Sequence, residues 1–176
     1  MKLSTKKMVL AGLFLALGLV LPFLTGQIPS VGSRLLPMHI PVLLCGFVCG
    51  WPYGLLIGFV TPLLRSVLFG SPPMIPIAVA MAFELAAYGL LTGVIFKLFS
   101  RKNSAILPSL LIAMFGGRII WGVASIFIFG LQGSSFTWVL FLSGAFINAL
   151  PGIIIQIIVI PLVILSLRKA KFIENE

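Results

Sequence analysis

The feature that most restricts the fold is the stretch 36–93, which is almost wholly apolar and yet contains His39, Arg65 and Glu84. An ionised side chain placed in lipid hydrocarbon costs roughly 3 kcal/mol or more, even on the lenient insertion scale. Such groups are tolerated where they face a protein interior or a wet cavity. We therefore expect a membrane protein with a polar site inside it.

Composition sets the number of crossings. The chain has 176 residues, of which 60% are hydrophobic and 9% are charged, and its mean hydropathy is +1.24. Soluble domains carry about 25% charged residues. Because each helix needs about 20 apolar residues to cross a bilayer, the chain has room for about six spans and for no separate domain outside the membrane. We predict an all-α polytopic protein, with one six-helix transmembrane domain over residues 1–176.

The apolar runs predict where the six spans lie. The second run is short for a full crossing, so this helix is expected to be tilted or partly re-entrant. The sixth is long enough to hold a kink at Pro151 or Pro161. The predicted spans cover residues 8–24, 38–50, 53–69, 75–98, 105–129 and 136–167.

Basic residues predict the orientation. Six spans place most lysines and arginines on the side of the N-terminus, and the opposite loops carry only Arg34. By the positive-inside rule both termini are cytoplasmic and the protein lies in the cell membrane. The net charge of +9 is then explained by residues that lie next to membrane lipid, rather than by binding to nucleic acid. The residues on the inner side are Lys2, Lys6, Lys7, Lys97, Arg101, Lys102, Arg168, Lys169 and Lys171.

Small residues recur every four positions at Gly46, Gly50, Gly54 and Gly58. Because small side chains let helix backbones approach closely, these glycines predict tight packing within the bundle. The first span has a similar pattern at Ala11, Gly12 and Ala16, which either serves a partner helix or packs internally.

Helix rise places polar residues of several spans at similar depths, in the outer half of the membrane. Two arginines against one glutamate leave one positive charge unpaired, which is expensive when buried. A bound carboxylate would complete the balance, since its geometry matches the arginine fork. The candidate substrate-binding residues are His39, Arg65, Glu84, Tyr88, Arg118, Trp121 and Asn148, with Gln156 placed deeper.

Other interpretations of these residues stay open. Glu84 can neutralise Arg65 or Arg118 and simply hold helices together, and His39 can be a local hydrogen-bonding group. In that case the protein is a non-transport scaffold or assembly factor, or, less well supported, a small ion or proton channel. If there is a ligand, Phe83, Tyr88 and Trp121 are candidates to stack on a flat ring.

Enzymatic function is not predicted. One histidine and three acids are too few for a catalytic metal site, so Cys45 and Cys49 are interpreted as small packing residues. The chain has no Gly-x-Ser-x-Gly motif and no phosphate-binding glycine-rich loop. We expect no catalytic residues, no metal and no cofactor, and any ATP hydrolysis would fall to partner subunits.

Two segments carry a resemblance to a known family. LPMHIPVLLCGFVCGWPYGLLIGFVTPLLRSVLFG, followed by MAFELAAYGLLTG, resembles the substrate-binding S components of energy-coupling factor (ECF) transporters. Their P-x-x-x-x-G-F pattern corresponds to Pro41 through Phe47. The resemblance implies a subunit that captures a water-soluble vitamin or vitamin precursor from outside. It implies docking on a coupling membrane subunit that carries two ATPases, and toppling in the bilayer to release the substrate inward.

The resemblance also implies a docking patch on the first span, usually Ala-x-x-x-Ala. Here Ala11 is followed by Leu15, and the nearest match is Gly12 with Ala16. Riboflavin carriers usually have an acid entering span two, where this chain has Met38 and His39, so riboflavin ranks lower. A positively charged cavity favours a substrate with a carboxylate, such as pantothenate. Because the aromatic residues could stack on a flat ring, pyridoxine, hydroxymethylpyrimidine, queuosine precursors and α-ribazole also stay candidates.

Overall fold

The computed structural model describes residues 4–25 and 34–170, and within these ranges all regular secondary structure is helical. Five helical stretches are long and apolar enough to cross a membrane, and a sixth apolar helix is shorter. The predicted all-α membrane fold is therefore confirmed. The helices are α1 (Thr5–Val20), α2 (His39–Cys49), α3 (Trp51–Phe69), α4 (Val79–Leu98), α5 (Ile106–Leu131), α6 (Trp138–Leu142) and α7 (Leu150–Lys169).

Helix α2 is short, as its apolar run predicted. Its 11 residues extend about 16 Å, roughly half of the ~30 Å hydrocarbon core. It begins at His39, one turn after the backbone reverses at Leu36, whose φ is +52°. His39 at the start of α2 is buried, so the helix begins inside the bundle rather than at its surface.

The last span is broken rather than continuous. Helix α6 passes into a π-helical turn at Ser143–Ile147, and α7 restarts at Leu150. Pro151 stands in the first turn of α7, where its missing N–H leaves no intrahelical bond unmade. The predicted break therefore lies just before Pro151, and α7 continues through Pro161.

Helices α2, α3 and α4 touch at the backbone. A Cβ atom added at Gly89 would lie 2.1 Å from the carbonyl oxygen of Gly54, and one at Gly58 would lie 2.2 Å from that of Leu85. Gly46 approaches the Gly89 carbonyl in the same way. The predicted glycine packing is confirmed for Gly46, Gly54 and Gly58, which meet α4.

Gly50 has a different role. It joins α2 to α3 with a φ of +94°, a backbone conformation that glycine adopts without a steric penalty. Sequence spacing placed it on the packing face of the second span, but its freedom at the turn is what the fold uses.

Helix α1 packs on α2 and α3 through Ala11, Phe14 and Gly18. Its C-terminal end is held by Arg65 of α3, whose Nη1 donates a hydrogen bond to the carbonyl oxygen of Leu19. A positive charge at the last turn of a helix is favourable because of the helix dipole.

At the other end of the bundle, Arg168 of α7 donates hydrogen bonds to the carbonyl oxygen of Arg101 and to Oδ1 of Asn103. Its guanidinium also lies 5.1 Å from the ring centroid of Phe96. The end of α4, the start of α5 and the end of α7 therefore share one face of the bundle, as the grouping of basic residues predicted. The side of the membrane to which this face belongs remains a prediction.

Candidate functional site

A buried ion pair forms the centre of the site. Nη1 of Arg118 lies 2.7 Å from Oε1 of Glu84, and Nε2 of His39 lies 3.5 Å from the same oxygen. His39 and Glu84 are each 1% exposed, and Arg118 is 5% exposed. One carboxylate thus joins α2, α4 and α5.

Tyr88 completes this group. It lies one turn after Glu84 on α4, and its ring meets the ring of His39 edge-on at 5.4 Å. Its hydroxyl lies beside both the Glu84 carboxylate and the Arg118 guanidinium. We call His39, Glu84, Tyr88 and Arg118 the Glu84 cluster.

Local sequence explains why these side chains converge. Ala80, Glu84 and Tyr88 are four residues apart, so they share the face of α4 that turns into the bundle. Gly117 precedes Arg118, and a Cβ atom there would lie 1.9 Å from the Tyr88 ring carbons. The glycine therefore makes room for Tyr88 between α4 and α5.

The Glu84 cluster keeps hydrogen-bonding capacity to spare. Among the described residues, Nη2 of Arg118 and Nδ1 of His39 have no hydrogen-bond partner. Buried polar groups are normally satisfied, and each one left unpaired costs about 1–3 kcal/mol. The arrangement can therefore bind a small polar molecule, with Arg118 as donor to an electron-rich oxygen or nitrogen.

A groove of about 420 Å³ adjoins the cluster, between α5 and the segment 136–146. In the part of the chain that the structure describes, its lining is apolar except for Arg118 and Thr137. Arg118 therefore belongs both to the groove and to the cluster. The aromatic residues of the lining are Phe115, Phe136, Trp138, Phe141 and Phe146.

The expected convergence of Arg65 with Glu84 and Arg118 is wrong. Arg65 is buried between α1 and α3, where its guanidinium lies 4.9 Å from the ring centroid of Phe23 and 5.3 Å from that of Phe69. Its side chain leaves α3 toward α1, whereas Glu84 lies on α4.

Three further candidates lie outside the cluster. Trp121 packs against Phe136 at 5.5 Å and supports the aromatic wall of the groove. Asn148 is exposed on the turn before α7, and Phe83 is 45% exposed on the outside of α4. Asn148 and Phe83 therefore do not join the Glu84 cluster, because their helix faces turn outward.

Sequence reasoning missed the wall formed by Phe136, Phe141 and Phe146. The signal for these residues was weak, because an aromatic side chain in an apolar span faces lipid as readily as a ligand. Within residues 4–25 and 34–170, no three His, Cys, Asp or Glu side chains are grouped as metal ligands would be.

The proposed docking patch on α1 divides in two. Gly12 and Ala16 are exposed on the outward face, and a Cβ atom at Gly12 would meet nothing within 4 Å. Ala11 is 5% exposed and belongs to the core against α2 and α3, so its assignment to a partner surface is wrong.

Comparison with known families matches the model of the ECF transporter substrate-specific component to residues 6–164. No curated protein and no solved structure gives a significant match. The matched range runs from the start of α1 nearly to the end of α7 and includes every residue of the Glu84 cluster. The chain is therefore a multi-pass membrane protein of the family of ECF transporter substrate-specific components, subunits that bind a small-molecule substrate and work with ECF membrane and ATPase subunits.

Proposed function

We propose that this S component carries a water-soluble vitamin or vitamin precursor and holds it between the Glu84 cluster and the adjoining groove. The observation that carries the proposal is the position of Arg118. Its Nη1 is engaged by Glu84, its Nη2 has no partner among the described residues, and the same residue lines the groove. A substrate in the groove would meet an oriented guanidinium donor.

The charge balance of the cluster widens the choice of substrate. Because Arg65 lies between α1 and α3, Arg118 and Glu84 neutralise each other, and the substrate need not be an anion. A neutral molecule with one good acceptor for Nη2 satisfies the site as well as a carboxylate does. Pantothenate, pyridoxine, a pyrimidine precursor or a similar molecule meets this requirement.

Thermal unfolding of the purified protein tests the proposal against pantothenate, pyridoxine, hydroxymethylpyrimidine and riboflavin. A true substrate at a hundredfold excess over its Kd stabilises the fold by about 3 kcal/mol. Arg118→Lys keeps the charge but loses the planar fork, so it should abolish this shift. Arg65→Lys, the matched control, should retain it. The proposal fails if no compound stabilises the wild type, or if Arg118→Lys responds as the wild type does.

The exposed face of α1 at Gly12 and Ala16 is the proposed docking surface for the ECF membrane subunit. Gly12→Leu combined with Ala16→Leu should reduce co-purification with the membrane and ATPase subunits while leaving substrate stabilisation intact. Gly130→Leu, at another exposed glycine with open space around it, is the control. Equal recovery of the complex from both variants would place docking elsewhere.

A further inference from the structure

A second buried polar group lies on α7, in the apolar run IIIQIIVI. Gln156 has no exposed surface, and among the described residues neither its Oε1 nor its Nε2 has a hydrogen-bond partner. The residues on either side of Gln156 in this run all have aliphatic side chains. An amide buried without partners is unfavourable, more so where the surroundings are apolar.

Helix rise, counted from the end of the bundle where Arg168 lies, places Gln156 at about the same height as Arg118 of the Glu84 cluster. Arg168 contacts the loop just before α5, and Gln156 lies 12 residues, about 18 Å, from Arg168 along α7. Arg118 lies 12 residues, also about 18 Å, from Ile106 at the start of α5.

Direction gives an independent indication. Gly152, Gln156, Ile160 and Ile164 form the buried face of α7, which packs on α2 and α5. One turn outward from Gln156, a Cβ atom at Gly152 would lie 2.6 Å from the carbonyl oxygen of Arg34 and 2.8 Å from that of Leu35. That segment leads directly into His39, and Gln156 lies on the same buried face of α7 as Gly152.

We propose that Gln156 is a further substrate-binding residue, which reads an amide-type edge of the substrate. A glutamine offers an N–H donor and a carbonyl acceptor side by side, so its complement is an adjacent acceptor and donor. Primary amides, lactams, cyclic ureides and aminopyrimidines have this edge, whereas a trans secondary amide does not, because its N–H and C=O point to opposite sides. The inference rests on the proposed function of the Glu84 cluster and adds the chemical class of the substrate to it.

The two recognition elements differ in what they require. Nη2 of Arg118 asks only for an acceptor, which many polar molecules provide. Gln156 requires that the substrate carry a donor and an acceptor next to each other. A molecule that lacks either one leaves a buried atom of Gln156 unpaired. Gln156 therefore sets specificity, whereas Arg118 supplies a less selective attraction.

Isothermal titration of the purified protein with hydroxymethylpyrimidine, pantothenate and pyridoxine tests this inference. Hydroxymethylpyrimidine contains the donor–acceptor edge, whereas the amide of pantothenate is trans and pyridoxine contains no amide or aminopyrimidine. We expect hydroxymethylpyrimidine to bind, and Gln156→Met to weaken its binding about tenfold or more, the equivalent of one lost hydrogen bond. Gln132→Met, at an exposed turn residue, should bind as the wild type does.

The outcomes separate the two proposals. Gln156→Met should melt, without added compound, at or above the wild-type temperature, because it removes a buried unpaired amide; this excludes unfolding as the cause of weaker binding. Unchanged binding by Gln156→Met overturns the role of Gln156 and leaves the proposed function standing. Binding of pantothenate or pyridoxine without binding of hydroxymethylpyrimidine overturns the amide-edge class. Absence of binding by all three compounds overturns both proposals.

Discussion

At the scale of the residue, Glu84 is the group on which three helices depend. Its Oε1 takes the 2.7 Å contact from Arg118 and the 3.5 Å contact from His39. A buried ion pair adds little net stability, but removing one partner leaves an uncompensated charge and costs about 3–5 kcal/mol. The pair is therefore more sensitive to the loss of one member than to the loss of both.

Glu84→Gln is accordingly expected to lower the free energy of unfolding by about 3 kcal/mol or more. Adding Arg118→Met to this variant should restore part of the loss, because no buried charge is then left alone. Chemical denaturation of the two single variants and the double variant gives the coupling energy directly. Strictly additive losses would show that the two side chains do not act as a pair.

Sequence identified which residues are polar in the spans, but it could not fix where each side chain points. One residue of helical register turns a side chain by about 100°. Glu84, Tyr88 and Arg118 were predicted to lie together and do so, whereas Arg65, equally plausible from its span, turns to the Leu19 carbonyl. Only the neighbours in the fold distinguish these cases.

Among the elements, Arg65 acts as a link between α1 and α3. Arg65→Lys should lower the free energy of unfolding by about 1–3 kcal/mol, since it loses the hydrogen bond of the guanidinium fork and its planar contact with Phe23 and Phe69. Substrate affinity should be unchanged, because Arg65 lies outside the Glu84 cluster. If Arg65→Lys lowered both substrate affinity and stability, Arg65 would have to be counted as part of the binding site.

The contact between α3 and α4 tolerates added side-chain atoms even less. Gly89→Ala should destabilise the protein by about 3 kcal/mol or more, because the added carbon meets the Gly54 backbone, which no rotamer change can clear. Gly130→Ala, where nothing lies within 4 Å, should be close to neutral or slightly stabilising. Thermal unfolding of the two variants side by side measures the difference, and equal melting temperatures would contradict the backbone contact.

Helix existence could be predicted from the sequence because apolar run length reflects bilayer thickness. Predicted spans at 53–69 and 105–129 agree with α3 and α5 to within two residues at each end. The π-helical turn at Ser143–Ile147 was not predicted, because the prolines at 151 and 161 were the stronger kink signals; its own signal is the Ser143–Gly144 pair. Packing of Gly144 and Phe141 against Trp121 and Gly122 accompanies the break.

Across the whole molecule, the contacts of Arg168 place the α4–α5 loop and the end of α7 on one face. From the positive-inside rule we expect that face to be cytoplasmic. With Cys45 and Cys49 replaced by Ala, Ser134→Cys should react with a membrane-impermeant maleimide on intact cells. Lys102→Cys should react only after permeabilisation. The reverse pattern of labelling would invert the orientation.

The backbone contacts at Gly46, Gly54, Gly58 and Gly89 have a mechanical consequence. Three helices that touch through their main chains cannot slide or spread without losing those contacts, so α2, α3 and α4 behave as one rigid wedge. Helices α6 and α7, joined through a π-helical turn, touch this wedge mainly through one side of α7. We therefore expect that any opening that admits or releases substrate moves α7 relative to the other helices, with the π-helical turn before Leu150 as the hinge. Helices α2, α3 and α4 should keep their arrangement during this movement.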